Sequence, residues 1–353
     1  MTAAAAIPTA IADVTASWLS DVTGWDVRDF TATDIGSGLG VSSAVYRLDL
    51  TTDDGPPSVV MKLKALDDNA AMRSVMLRMY AREVQFFRTL ADQTPIRIPK
   101  SYYAAMNDDG SEAVIIMENM GGNRAIDQVE GITIEDARAC IDALAAWHAN
   151  WWNKVDGIAE NGAALPLQNP IYPVMLPGLF AQGWEKLTNS ENCQPPANML
   201  PIGPKYGAAI PGLLERLFSG PITLLHGDFR GDNLMFSADG TPIVIDFQLG
   251  HIGSAAYDLA YFITQTLASD QAREHEAALI ERWMDGLRSN GVSDEDLADM
   301  HEQYRRAALF CLVYPVVAAH GMDLTDERQA ALVNVMMGNL SRAVDDHSLA
   351  DLV

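Results

Sequence analysis

Strand-forming and helix-forming runs occupy different stretches of this 353-residue chain, and that separation limits the folds open to it. Short β-rich runs fall at 44–50 and 58–63, joined by T-T-D-D-G-P-P, and at 101–105 and 113–117, joined around N-D-D-G. One long helical pattern, 72–90, lies between the two pairs and carries Glu83, Phe86 and Phe87. An amphipathic helix over 9–22, with Ile11, Val14, Trp18 and Val22 at helical spacing, precedes them. Beyond Gly121-Gly122 helices dominate. The first covers 133–152, capped by Thr133 with Asp136 three residues on, and several more fill 255–344. Residues 155–205, rich in Pro, Asn and Gly, read as irregular. This order predicts an α+β protein with a small mixed β/α lobe, residues 1–119, and a larger, mainly helical lobe, residues 120–353.

One segment interrupts the helical part. It runs L-L-H-G-D-F-R-G-D-N-L-M-F and then P-I-V-I-D-F-Q, two short apolar strands around a polar loop. His226 and Asp228 follow the first strand, Asn233 comes five residues after Asp228, and Asp246 ends the second strand, eighteen residues after Asp228. Phosphoryl transfer needs a carboxylate to take the hydroxyl proton, and an amide and a second carboxylate to hold Mg²⁺ on the phosphates. The run supplies these groups at the spacing of the H-x-D-x-x-x-x-N and D-F-x elements of protein kinases.

A nucleotide side is readable earlier in the chain. The stretch I-G-S-G-L-G-V-S-S-A-V-Y, residues 35–46, is glycine-rich, and Gly38 and Gly40 would let backbone N–H groups approach phosphate with no Cβ in the way. Its spacing is G-x-G-x-G. It lacks the G-K-[ST] of a Walker loop, the strand after it argues against a Rossmann turn, and an ordinary glycine turn is the alternative. Lys62, in V-V-M-K-L-K, would face inward from a strand and need an anionic partner, for which Glu83 on the next helix is the candidate. Lys64 shares the parity of Lys62, and the V-x-x-K pattern favours Lys62. I-I-M-E-N-M, with Glu118 and Met120, ends a strand where a kinase hinge would hold adenine through backbone groups. It reads equally as core strand plus linker.

Composition narrows the partners. Forty-seven acidic against 24 basic residues give a formal net charge of −23, which argues against nucleic acid. Three widely spaced cysteines without a C-x-x-C fit a reducing cytoplasm. The N-terminus has no basic region before an apolar core, and the longest apolar stretch, 307–319, is too short to span a bilayer, so neither a signal peptide nor a membrane segment is expected. H-E-A-A-L at His275 lacks the second histidine of a zinc motif.

On these residues the chain resembles the aminoglycoside phosphotransferase and choline kinase superfamily. Its H-G-D-F-R-G-D-N-L-M-F and I-D-F-Q runs are most similar to the ecdysteroid-kinase-like branch. The resemblance covers residues 30–320 and is specific between 223 and 263. It implies a bilobal protein-kinase-like fold and ATP-dependent phosphorylation of a small hydroxyl compound. It also implies Asp228 as catalytic base, with Asn233 and Asp246 holding Mg²⁺ and Lys62, Glu83 and the glycine loop positioning ATP. Arg230 is implied either to reach the transferred phosphoryl group or to form a structural salt bridge, and Asp258, in A-A-Y-D-L-A-Y-F, to brace the catalytic loop. Gln248 replaces the glycine of D-F-G, and no A-P-E element follows, which counts against a protein kinase. A nucleotide-binding module without catalysis is the reading from another class.

The acceptor stays open at this level. Trp147, Trp151 and Trp152 form either a buried helix face or an aromatic wall, and Tyr172, Met175, Phe180 and Trp184 lie in a segment that could act as a lid. His251 is a candidate to point into the cleft. Asp294, Glu295, Asp296 and Asp299 suit a cationic acceptor or simply a solvated helix start.

Overall fold

A computed structural model describes residues 6–36 and 42–353. The chain divides into two compact units. The first is Met1–Asn123 with Glu160–Ala164 and Ile245–Leu249; the second is Arg124–Ala159, Leu165–Val244 and Gly250–Val353.

The first unit holds α1 (Ala16–Thr23), β1 (Val27–Asp34), β2 (Ser43–Thr52), β3 (Ser58–Lys64), α2 (Asp68–Met76), α3 (Met79–Thr89), β4 (Ser101–Met106) and β5 (Ala113–Glu118). The strands form one antiparallel sheet in the order β1-β2-β3-β5-β4. The alternation in β3 shows why it forms. Val59, Met61 and Leu63 are buried on one face with Leu48, Val114, Ile116 and Leu19 of α1. Val60 and the partly buried Lys62 and Lys64 take the other parity, and on that side Ile115 and Met117 pack against Tyr80 and Val84 of α3. Each apolar side chain removed from water in this way contributes about 1.5–3 kcal/mol.

Three local expectations change. β1 carries no apolar alternation, because its side chains after Val27 are mostly exposed and the strand is fixed by pairing with β2 and by the contact of Val27 with Ser20 of α1. The helical pattern over 72–90 breaks into α2 and α3 at Arg78, whose φ of 56° is left-handed. The first helical segment likewise restarts at Thr15, which caps α1 by accepting from the Trp18 N–H.

The second unit holds β6 (Arg124–Ala125), α4 (Ile134–Trp151), β7 (Leu165–Pro166), α6 (Tyr172–Thr188), α7 (Gly203–Leu217), β8 (Thr223–Leu225), β9 (Leu234–Phe236), β10 (Pro242–Val244) and β11 (His251–Gly253). The short α5 (Ile158–Asn161) has its first two residues in the second unit and its last two in the first. After β11 come α8 (Ala256–Thr266), α9 (Ser269–Ser289), α10 (Asp294–Leu297), α11 (Met300–Phe310), α12 (Val313–Gly321) and α13 (Glu327–Asp346). Thr133 caps α4, accepting from the Asp136 N–H as its spacing predicts. Every residue of α8 is buried, and α4, α9, α11 and α13 pack against it. Two small sheets, β10-β9-β6 and β7-β11-β8, hold the polar loops. The mixed α+β fold with a mainly helical C-terminal part is the one expected. Residues 155–205 are not irregular, however. Pro173 sits in the first turn of α6, where its missing N–H costs nothing, and Pro204 does the same in α7. Among the described residues, no helix is long and apolar enough to cross a membrane.

Candidate active site

The polar residues singled out from sequence gather in two groups, one in each unit. In the first, the parity of β3 points Lys62 toward α3, where Glu83 is buried. Lys62 Nζ lies 2.8 Å from Glu83 Oε1 and 3.1 Å from Asp246 Oδ1. Burial works against the ammonium, but Asp246 and then Glu83 outweigh it and hold Lys62 above the usual lysine range. Burial lifts the Glu83 carboxyl above the usual carboxylate range, against the pull of the Lys62 ammonium. Lys64, of the same parity, is 3.8 Å from Glu112 and a third exposed. Asp246 has φ of 69°, a left-handed conformation that costs a non-glycine residue roughly 1–3 kcal/mol and is typical of functional positions. The stacking of Phe247 on Phe86, with centroids 3.9 Å apart, helps hold it there.

Gly38 and Gly40 lie outside the described residues. On either side of them, β1 and β2 pair from Asp34↔Tyr46. Glu118 and Met120, at the end of β5, stand apart from the Lys62 group in their bonding. The Glu118 carboxylate takes Arg97 at 2.6 Å and the Lys100 N–H at 3.1 Å, and the Met120 carbonyl accepts from the Asn123 N–H.

In the second unit the loop between β8 and β9 brings together Asp228, Arg230 and Asn233. Asn233 Nδ2 donates to the Asp228 carbonyl at 2.9 Å and to Asp228 Oδ2 at 2.8 Å. Asp228 Oδ1 accepts from the Tyr261 hydroxyl at 2.8 Å and from Arg230 Nε at 3.2 Å. Arg230 also reaches Asp232 at 2.6 Å. Its burial is more than offset by Asp228, Tyr261 and Asp232, which raise its pKa further. Burial and then Asp228 push the Tyr261 phenol well above its usual value, so it stays a donor.

The loop is held from below by Asp258, which is fully buried. Its Oδ2 accepts from the His226 N–H at 2.7 Å and its Oδ1 from the Gly227 N–H at 2.9 Å. His148 completes the set. Its Nδ1 accepts from Trp283 at 3.1 Å, which leaves the proton on Nε2, 3.3 Å from Asp258 Oδ2. His226 Nδ1 accepts from the Asp228 N–H at 3.2 Å, a supporting contact within the loop. Tyr261 and His148 were not singled out from sequence for these contacts. Tyr261 had a signal, because it lies three residues after Asp258 on the same helix face.

Each unit carries oxygen of the kind a hard cation takes: in the second, Asn233 spends its amide nitrogen on Asp228 and keeps its amide oxygen, and in the first, Asp246 carries carboxylate oxygen. Among the described residues no group of three His, Cys, Asp or Glu could hold a metal alone.

The alternatives left open for the acceptor narrow. Trp147, Trp151 and Trp152 are buried, and Trp147 Nε1 donates to the Leu224 carbonyl at 2.7 Å, so this stripe is core and not an aromatic wall. His251 is buried with its Nε2 2.9 Å from the Tyr172 hydroxyl. Ser293 caps α10, and Asp294 pairs with Arg288, as in a solvated helix start.

Residues 35–291 match the phosphotransferase enzyme family. The chain belongs to that family. No curated protein matches it. A Plasmodium vivax ethanolamine kinase shares the fold with 12% identity and TM-score 0.55, over 91% of this chain and 83% of that one. Aminoglycoside 2'-phosphotransferase-IIIa, solved as its GDP complex, gives 13% and 0.53 over 89% and 93%. An amicoumacin kinase solved with AMP-PNP, Ca²⁺ and Ami gives 13% and 0.50 over 89% and 90%. At these identities the likeness of the phosphotransferase to the three is one of fold.

Proposed function

We propose that this phosphotransferase moves the γ-phosphoryl group of Mg²⁺-ATP to a hydroxyl group of a small molecule. The observation that carries the reading is the Asp228–Asn233 pair, in which one amide fixes both the backbone and the carboxylate of Asp228. In this reading Asp228 Oδ2 accepts the acceptor's hydroxyl proton. The hydroxyl oxygen bonds to phosphorus, the bond from phosphorus to the β–γ bridging oxygen breaks, and ADP leaves. Lys62, fixed by Glu83, binds the α- and β-phosphates, and Asn233 and Asp246 are the protein ligands of Mg²⁺. Mg²⁺ supplies neutralisation of the phosphate charge. The glycines Gly38 and Gly40 and the backbone at Glu118 and Met120 are assigned to the nucleotide, which places it on residues 1–119 and the acceptor on 120–353. Arg230, tied to Asp228 and Asp232, orients the carboxylate in the resting state.

The I-D-F-Q run supports a place near the ecdysteroid-kinase-like branch, and three buried unpaired cysteines support a reducing cytoplasm. The test is ADP release with Mg²⁺-ATP and Mg²⁺-GTP across alcohols, amino alcohols, sterols and aminoglycosides. Acceptor-dependent release is expected, at least about 10³-fold lower in Asp228→Asn while nucleotide still binds, and Lys62→Ala is expected to weaken nucleotide binding. A fully active Asp228→Asn protein ends the assignment. Nucleotide binding without turnover on any acceptor points instead to a non-catalytic module.

A further inference from the structure

Gln248 stands where protein kinases carry the glycine of D-F-G, and the proposed function leaves it without a role. Its side-chain amide is used at both ends. Nε2 donates to Asp246 Oδ2 at 3.1 Å, and Oε1 accepts from the Ser42 hydroxyl at 3.1 Å. Ser42 immediately precedes β2, and its carbonyl in turn accepts from Ser74 of α2 at 3.2 Å. Gln248 itself is buried.

The arrangement divides the Asp246 carboxylate between two donors. Lys62 holds Oδ1 and Gln248 holds Oδ2, so the rotation of the carboxylate is set from both sides. That rotation fixes where the remaining lone pairs point. A single donor would leave the group free to turn about its Cβ–Cγ bond, and a glycine at 248 would supply no second donor. The Ser42 end matters for a different reason. Ser42 and Gln248 are 206 residues apart in sequence, and their bond joins the start of β2 to the segment that carries Asp246.

We propose that Gln248 is a positioning residue for nucleotide binding. It sets the rotation of the Asp246 carboxylate and, through Ser42, locks that carboxylate to the start of β2. The ligand's identity as a Mg²⁺-nucleotide rests on the proposed function. The bond to Asp246 is charge-assisted and part-buried, so its loss is worth on the order of tenfold in affinity.

The experiment measures binding of Mg²⁺-AMP-PNP by calorimetry to the wild type, Gln248→Ala, Ser42→Ala, Ser42→Thr and the Gln248→Ala/Ser42→Ala double variant. Amide hydrogen exchange across β2 is followed in the nucleotide-free proteins. Gln248→Ala is expected to bind about tenfold more weakly and Ser42→Ala several-fold more weakly, with the double variant no worse than Gln248→Ala. That non-additivity is expected because both residues act through one link. Ser42→Thr, which keeps the hydroxyl, is expected to bind like wild type. Exchange at the start of β2 is expected to quicken in both alanine variants. If Gln248→Ala fails to fold, Ser42→Ala carries the test. A folded Gln248→Ala protein with wild-type affinity, or strictly additive losses, overturns the inference and leaves the proposed function standing. A wild-type protein that binds no Mg²⁺-nucleotide overturns both.

Discussion

Replacing Asp258 by asparagine changes one atom in the middle of the second unit, and its cost can be worked from the hydrogen bonds. Asp258 is fully buried, and its two oxygens receive three donors. Oδ2 takes the His226 N–H at 2.7 Å and His148 Nε2 at 3.3 Å, and Oδ1 takes the Gly227 N–H at 2.9 Å. An asparagine has one oxygen. Its better placement keeps that oxygen at the Oδ2 position, which leaves its NH₂ facing the Gly227 N–H. One buried donor is then orphaned, at about 1–3 kcal/mol, and the two remaining bonds lose their charge assistance. Together these give about 2–4 kcal/mol, which lowers the Tm of the helical unit by roughly 5–15 °C. The measurement is a thermal melt by circular dichroism, paired with hydrogen exchange at residues 225–229, where loss of protection is expected. An Asp258→Asn protein that melts within about 1 °C of wild type, with exchange unchanged over that loop, would refute the argument that Asp258 holds the loop.

Two further predictions concern packing and pH. A Cβ on Gly183 of α6 would sit 2.0 Å from the Val316 carbonyl oxygen of α12, so Gly183→Ala is expected to cost about 2–3 kcal/mol in urea denaturation. Gly178→Ala, on the same helix with nothing within 4 Å, is expected to stabilise by about 0.5–1 kcal/mol, and equal effects at the two positions would sink the packing argument. Burial opposes the charge of Glu276, but His347, at 3.1 Å, and the bonded Arg342 hold its carboxyl down to about 2. Because the folded value lies below the unfolded one, the stabilisation is fully present above about pH 4.5 and is lost as pH falls from there toward 2. Glu276→Gln is expected to flatten that acid limb by up to about 3 kcal/mol, and an unchanged stability–pH curve would contradict it.

What was legible in the sequence was local. β3 shows its strand character because Val59, Met61 and Leu63 recur at every second residue, and the cap of α4 shows because Thr133 and its partner are three residues apart. β1 was invisible because an edge strand with exposed side chains has no apolar rhythm. α6 was hidden because Pro173 and Pro177 read as breakers, although one sits in the first turn and the other is tolerated inside a packed helix.

The same division runs through the candidate site. By itself the sequence set out Asp228, Asn233 and Asp246 in order, because their spacing is a property of two short strands and the loop between them. The V-x-x-K pattern already favoured Lys62 over Lys64, and the tertiary structure adds its pairing with Glu83. The two lysines share one face of β3, and what separates them is Glu83, 21 residues further on. Only the tertiary structure gave Tyr261 to Asp228, His148 to Asp258 and Ser42 to Gln248, pairs 33, 110 and 206 residues apart. Such contacts leave no periodic trace along the chain, because they depend on how separate elements pack and not on the repeat of any one of them.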